Sequence, residues 1–205
     1  MIYNFLLIGI GGQGIITLSK ILATATMSKD LKVIVTYKKG LAQRGGSVGA
    51  QVRIGDVYSP LIPKYSVNSL LSMDMNETFG YIDYINKDTI LIINTKIIND
   101  STFLSKKDKA KKEEIKQLQK SIKNNIFLID AELKAKQEGM SKAVNLYLLG
   151  VLFGLDNRIN SFITRNDIIY SIRKNLRENT ELNTELNIEL FHKGIDFIKG
   201  KINKR

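Results

Sequence analysis

The most constraining feature is a cluster of glycines where one apolar run ends and a helical pattern begins. Leu6 to Ile10 is apolar, and Gly9-Ile10-Gly11-Gly12-Gln13-Gly14 follows with the spacing G-x-G-x-x-G. From Ile15 to Ala25 the apolar residues Ile15, Leu18, Ile21 and Leu22 recur at helical spacing. A buried strand, a tight turn and a helix is the context in which such glycines carry meaning. They allow left-handed backbone, close approach of another chain or ligand, and free N–H groups at a helix start. Gly9, Gly11, Gly12, Gln13 and Gly14 are therefore candidate cofactor-binding or partner-facing residues. The same glycines would equally serve a plain strand-to-helix turn.

The rest of the chain repeats the alternation of strand and helix. Strands are expected at Leu31–Tyr37, Asn68–Met73, Thr89–Asn94 and Asn125–Asp130, with a helix from about Asn76 to Ile85. Val48, Ala50, Val52 and Ile54 alternate with Ser47, Gly49, Gln51 and Arg53, which reads as a strand with one covered and one polar face. Such alternation points to an antiparallel strand. Helices are expected at Lys142–Phe153, at Arg165–Leu176 behind Thr164 as N-cap, and through His192; the polar stretch Asn175–Asn187 reads as loose. The expectation is one α/β domain over all 205 residues, helical from about residue 140, with a mostly parallel, mixed sheet.

Composition limits the chemistry. Hydrophobic residues make up 43% and charged residues 25%, which excludes wholesale disorder. There is no cysteine, so disulfides, thiolate metal sites and cysteine nucleophiles are excluded. His192 is the only histidine, which leaves little room for a histidine metal site or a triad. The N-terminal apolar run has no basic flank and is cut short by glycines, so no leader or membrane span is expected and a cytoplasmic setting is the simplest reading.

The formal net charge is +11, so polyanions have to be weighed. Between Ser105 and Lys123 eight lysines face three acidic residues, with Ile115, Leu118 and Ile122 at helical spacing. No aromatic platform lies among those lysines, so a solvated helix face is expected rather than a specific nucleic-acid site.

A nicotinamide site would need a carboxylate at the end of the second strand to bind the ribose. Thr36-Tyr37-Lys38-Lys39 stands there instead, which leaves only an NADP-binding reductase as an alternative. A P-loop is excluded, since no Gly-Lys-Ser/Thr follows the glycines. A second glycine loop, Gly40-Leu41-Ala42-Gln43-Arg44-Gly45-Gly46, holds a guanidinium between residues whose backbone can approach a partner. Gly40, Gln43, Arg44, Gly45 and Gly46 are candidate interface residues.

Taken together, the two glycine motifs, Val52-Arg53-Ile54-Gly55 and Ser59-Pro60-Leu61-Ile62 occur in an order and spacing that resembles the gamma domain of 2-oxoacid:ferredoxin oxidoreductases. In the two-subunit indolepyruvate enzymes that domain is the small beta subunit. The resemblance continues through Leu70–Glu77, Ile92-Ile93-Asn94, and Asn145 with Gly150. It implies a Rossmann-like three-layer α/β/α fold and an accessory role, with no catalytic residue in this chain. The enzyme so implied decarboxylates a 2-oxoacid to an acyl-CoA and reduces ferredoxin. Its thiamine diphosphate and iron–sulfur clusters would sit on a large partner subunit, with coenzyme A as co-substrate, and loop 40–46 would lie near the partner's active site. The only Gly-Asp, Gly55-Asp56, is followed by Val57 rather than by the glycine of a thiamine-diphosphate signature. The sequence departs from the family where Glu, Asp and Arg are usual: it has Tyr37, Asn68 and Gly80.

Overall fold

A computed structural model describes residues 1–40, 46–95, 125–137, 143–176 and 181–202. Gln43, Arg44, Gly45 and the lysine-rich Ser105–Lys123 stretch lie outside the described residues. Among the described residues six strands form one sheet: β1 (Ile2–Ile10), β2 (Val33–Lys39), β3 (Ser47–Gly55), β4 (Ser69–Ser72), β5 (Ile90–Asn94) and β6 (Ile126–Ile129). Their order is β2-β3-β1-β4-β5-β6. β4, β5 and β6 run parallel to β1, while β3 is antiparallel to both of its neighbours, β1 and β2. The antiparallel strand is the one whose alternating pattern pointed to it.

The pleat divides the core in two. Tyr3, Phe5 and Leu7 of β1 face a large cluster with Val52 and Ile54 of β3 and the main helices. These helices are α1 (Ile15–Met27), α3 (Ala131–Gln137), α4 (Val144–Leu155), α5 (Arg165–Asn175) and α6 (Glu181–Ile202). Leu6 and Ile8 face the other way, toward Ile62, Val67, Tyr81 and Ile85. Among the described residues that layer comprises the connection through Pro60 and Pro63 and α2 (Met75–Thr78), which runs into a 3₁₀ helix (Phe79–Tyr84). The helix expected at Asn76–Ile85 is thus mostly the tighter 3₁₀ form, ended by the extended Ile85.

Two expectations need correcting. The polar face of β3 is not open to water: Gln51 and Arg53 are both buried. The connection after β3 folds back over them, and their side chains satisfy its backbone groups. Gln51 Oε1 accepts from the Ile62 N–H at 2.6 Å, and Arg53 donates to Asn4 Oδ1 at 3.0 Å and to the carbonyls of Ser59 and Leu61 at 2.8 and 2.9 Å. A buried guanidinium is tolerable only with such partners. Nor is Asn175–Asn187 loose throughout, since α6 begins at Glu181. There Thr184 is buried, donating to the Leu176 carbonyl at 3.3 Å, and Arg173 pairs with Glu185 at 3.1 Å.

α5 starts where Thr164 promised, with a reciprocal capping box: Thr164 N–H donates to Asp167 Oδ2 at 2.7 Å and Asp167 N–H to Thr164 Oγ1 at 3.4 Å. α4 and α6 cross backbone to backbone. A Cβ on Gly150 would collide with the Phe191 carbonyl, and one on Gly194 with the Tyr147 carbonyl. No helix among the described residues is long and apolar enough to cross a membrane.

Candidate functional site at the glycine turn

In an open α/β sheet, ligands and partners meet the carboxyl ends of parallel strands where the strand order reverses. Here that point lies between β1 and β4, and the glycine turn fills it. Gly12 (φ 96°) and Gly14 (φ 78°) both adopt left-handed backbone. Gly9 has no room for a side chain, since a Cβ would sit 2.5 Å from Gln13 Oε1 and 3.0 Å from Met73 Cβ.

Three amide side chains hold the turn in place. Gln13 Oε1 accepts from Ile10 N–H at 2.8 Å, while Gln13 Nε2 and Asn94 Nδ2 each donate to the Met73 carbonyl at 3.3 Å. Asn94 Oδ1 accepts from the first N–H of α3, that of Ala131, at 3.1 Å. Asn145, in the first turn of α4, donates to the Gly14 carbonyl at 3.4 Å. So the ends of β1, β4 and β5 and the starts of α1, α3 and α4 are joined by neutral amides. Gln13 serves the turn itself, whereas Gly11 and Gly12 are exposed. α1 has no acidic residue in its first turn and no side-chain cap, which leaves its positive end open beside them.

The two glycine motifs of the sequence meet here. Gly11 N–H donates to the Gly46 carbonyl at 3.0 Å, and Gly40 N–H to the Ser47 carbonyl at 2.7 Å. Both described ends of the 40–46 loop are therefore tied down at the carboxyl edge of β1, one of them directly to the glycine turn.

The same arrangement argues against a nicotinamide dinucleotide. β3 stands between β1 and β2, so the end of β2 lies two strand spacings, about 10 Å, from the turn. A Gly11 N–H that a pyrophosphate would use is taken by Gly46. Tyr37, near the end of β2, donates to or accepts from Ser19 of α1 at 2.8 Å.

Of the other departures from the family pattern, Asn68 has a clear structural role. Its Oδ1 accepts from Asn4 N–H at 2.8 Å. Gly80 faces open space, with nothing within 4 Å of a Cβ built on it.

At the opposite end of the sheet lies a constellation that the sequence reading missed. Asp156, 2% exposed, accepts from Tyr3 at 2.5 Å, from Ser69 at 3.0 Å, and from Arg158 through Nε at 2.8 Å and Nη2 at 2.7 Å. Burial pushes its carboxyl up, but hydrogen bonds from Arg158 and Tyr3 and the Arg158 charge outweigh it and hold the pKa below the ordinary aspartate value. Burial, joined by the Asp156 charge, drives the Tyr3 phenol far above its ordinary value. Asp156 lies 153 residues from Tyr3 in sequence, and nothing local marks the pairing. His192 lies elsewhere again, in a groove between α5 and α6 with Tyr170 and Arg173.

The turn gives a direct test. Gly14→Ala meets both a left-handed backbone and the Asn145 amide, whereas Gly12→Ala meets only the backbone cost. Gly12→Ala is expected to cost about 1 kcal/mol and Gly14→Ala about 2–3 kcal/mol in urea unfolding. Equal costs would show that the Asn145 contact does not confine the turn.

A mixed α/β sheet, a glycine turn at its switch point and a hairpin bonded to that turn define a Rossmann-like domain in which β3 sets the end of β2 apart from the turn. The sequence matches the family described as pyruvate ferredoxin/flavodoxin oxidoreductase over residues 4–197, and the chain belongs to that family.

Among curated relatives, the indolepyruvate oxidoreductase subunit IorB of Archaeoglobus fulgidus is 36% identical over 152 residues, 74% of this chain and 76% of the relative. The IorB of Pyrococcus horikoshii is 35% identical over 153 residues, 73% of this chain and 76% of the relative. The fold is that of the pyruvate oxidoreductase subunit PORC of Thermotoga maritima (TM-score 0.67, 22% identity, 95% of this chain and 96% of that one). It is likewise shared with a 2-oxoglutarate:ferredoxin oxidoreductase of Magnetococcus marinus solved with 2-oxoglutarate, coenzyme A and succinyl-CoA (TM-score 0.71, 19% identity). The match there covers 97% of this chain but 31% of the other, so this domain corresponds to about a third of that structure.

Proposed function

We propose that this chain is the accessory, gamma-type subunit of a thiamine-diphosphate-dependent 2-oxoacid:ferredoxin oxidoreductase of the indolepyruvate type. The complex would convert a 2-oxoacid and coenzyme A to an acyl-CoA and carbon dioxide, passing two electrons to ferredoxin. The observation that carries this reading is the identity with IorB subunits across three-quarters of the chain.

The chain's own residues fit neither prosthetic group. Iron–sulfur clusters are held by thiolates, and there is no cysteine in the sequence. The sole Gly-Asp pair lacks the thiamine signature, and Asp56 instead pairs with the N-terminal ammonium at 3.2 Å. Among the described residues no three carboxylates or histidines cluster as metal ligands. Both groups are therefore assigned to a large partner subunit, along with ferredoxin docking. What this chain supplies is the pinned glycine turn and the 40–46 loop beside it, presented toward that subunit. Specific nucleic acid is not assigned as a partner.

Reconstitution tests the proposal. The pure chain is expected to give no viologen reduction with indolepyruvate, coenzyme A and added thiamine diphosphate. Addition of the large subunit should yield a stable complex that reduces ferredoxin. Turnover by the pure chain, or failure of the two chains to associate, would overturn it.

A further inference from the structure

We infer that the proline-bracketed connection after β3 is a second docking surface, preorganised to receive an acidic, apolar-centred face of the large subunit. This rests on the accessory-subunit reading above and adds to it a place on the molecule. Tyr58, Leu61 and Tyr65 are 83%, 59% and 65% exposed, three large hydrophobic side chains within eight positions of one connection. Exposed tyrosines on a fixed backbone are the residues that dominate interface energetics.

The backbone under them is fixed to an unusual degree. Buried Arg53 holds the carbonyls of Ser59 and Leu61, buried Gln51 holds the Ile62 N–H, and Thr36 donates to the Pro60 carbonyl at 3.1 Å. Tyr65 is kept at φ 58°, a left-handed conformation that a tyrosine adopts only under constraint. Its N–H donates to the Asp83 carbonyl at 3.0 Å, and its own carbonyl accepts from Asn86 Nδ2 at 2.7 Å. Core polar groups and local strain are thus committed to a surface connection that buries Ile62 and Val67 yet leaves Tyr58, Leu61 and Tyr65 exposed. A connection serving only to cover the sheet has no need to hold Tyr58 and Tyr65 in water.

Charge selects the occupant. Lys32 lies over the Tyr58 ring at 4.5 Å from its centroid, Lys38 is on the same face of β2 as Thr36, and Lys87 adjoins Asn86. Among the described residues none of these three lysines forms an ion pair, while Lys64 is matched by Asp83 at 2.8 Å. A second copy would bring the same positive rim against itself, on a chain of formal charge +11. An acidic rim around an apolar centre on the large subunit is complementary.

The absence of native cysteine makes the test clean. Single-cysteine variants Leu61→Cys and Tyr65→Cys are compared with Met27→Cys, an exposed site at the end of α1, by maleimide labelling of the full chain alone and with the large subunit bound. All three are expected to label rapidly in the free chain. In the complex the first two should slow at least tenfold while Met27→Cys does not. Lys32→Glu with Lys87→Glu should weaken association at least tenfold at low salt and less at high salt. Unchanged labelling of residues 61 and 65 in an assembled complex overturns the surface while leaving the accessory-subunit reading intact. Slow labelling in the free chain overturns it too, because the connection is then covered by the chain itself. Absence of any complex with the unmodified chain overturns both.

Discussion

Asp156→Ala is expected to destabilise the isolated chain by about 3 kcal/mol, the low end of the cost of removing one partner of a buried ion pair. The low end applies because the Arg158 side chain is 42% exposed and can be resolvated once its partner is gone. What cannot be resolvated is the Tyr3 hydroxyl, buried with Ser69 between β1, β4 and the segment after α4. The pH dependence separates this network from generic packing. Asp156 has a folded-state pKa below its unfolded value, so its contribution is fully present above the ordinary aspartate range, near pH 4. It is lost as pH falls through the folded value. Tyr3 has a raised folded-state pKa, so its contribution is present below about pH 10 and lost as pH rises above it. Chemical unfolding across pH should therefore show a steeper acid limb for the unmodified chain than for Asp156→Asn. Tyr3→Phe should likewise flatten the alkaline limb. Identical acid limbs in the unmodified chain and Asp156→Asn would show that the carboxylate is not ionised and paired in the folded state.

That network was invisible in the sequence for the same reason that much else was visible. β1, the glycine turn and α1 announce themselves because their signals are local: an apolar run, glycines, then helical spacing. The Thr164 cap is legible because its partner is three residues away. The partners of Asp156 lie on β1 and β4, and only the folded sheet brings them together. The face of β3 shows the opposite failure. Gln51 and Arg53 read as solvent-facing because polar residues alternating with apolar ones ordinarily are, and only the returning connection turns them into buried anchors. The order of the strands was equally hidden. That β3 separates β1 from β2 is a pairing fact, yet it is what removes the end of β2 from the glycine turn and with it the dinucleotide geometry. The meeting of the two glycine motifs, through Gly11 and Gly46, also belongs to the fold rather than to either motif.

Arg44→Ala is expected to leave the chain folded and to cripple the complex. The loop that carries Arg44 joins β2 to β3, and its described ends are tied by backbone hydrogen bonds at Gly40 and Gly46. Loss of the guanidinium should therefore shift urea unfolding of the isolated chain by less than about 0.5 kcal/mol, the usual range for a surface substitution. In the complex the expectation is different. A guanidinium flanked by glycines presents two parallel N–H groups to a carboxylate or phosphate, and the glycines allow the two backbones to close around the pair. Truncating one partner of a desolvated charged contact costs about 2–5 kcal/mol, seen as faster dissociation of the two subunits or as lost turnover at saturating subunit concentration. Arg44→Lys discriminates between charge and shape: it keeps the charge but not the fork, so it should recover part of the affinity and not all of it. Full recovery by lysine would mean that the partner group is met as a point charge. Unchanged dissociation and turnover in Arg44→Ala would reduce the loop to a hairpin connection and move the contact onto the glycine turn, where Gly11 and Gly12 are the exposed residues.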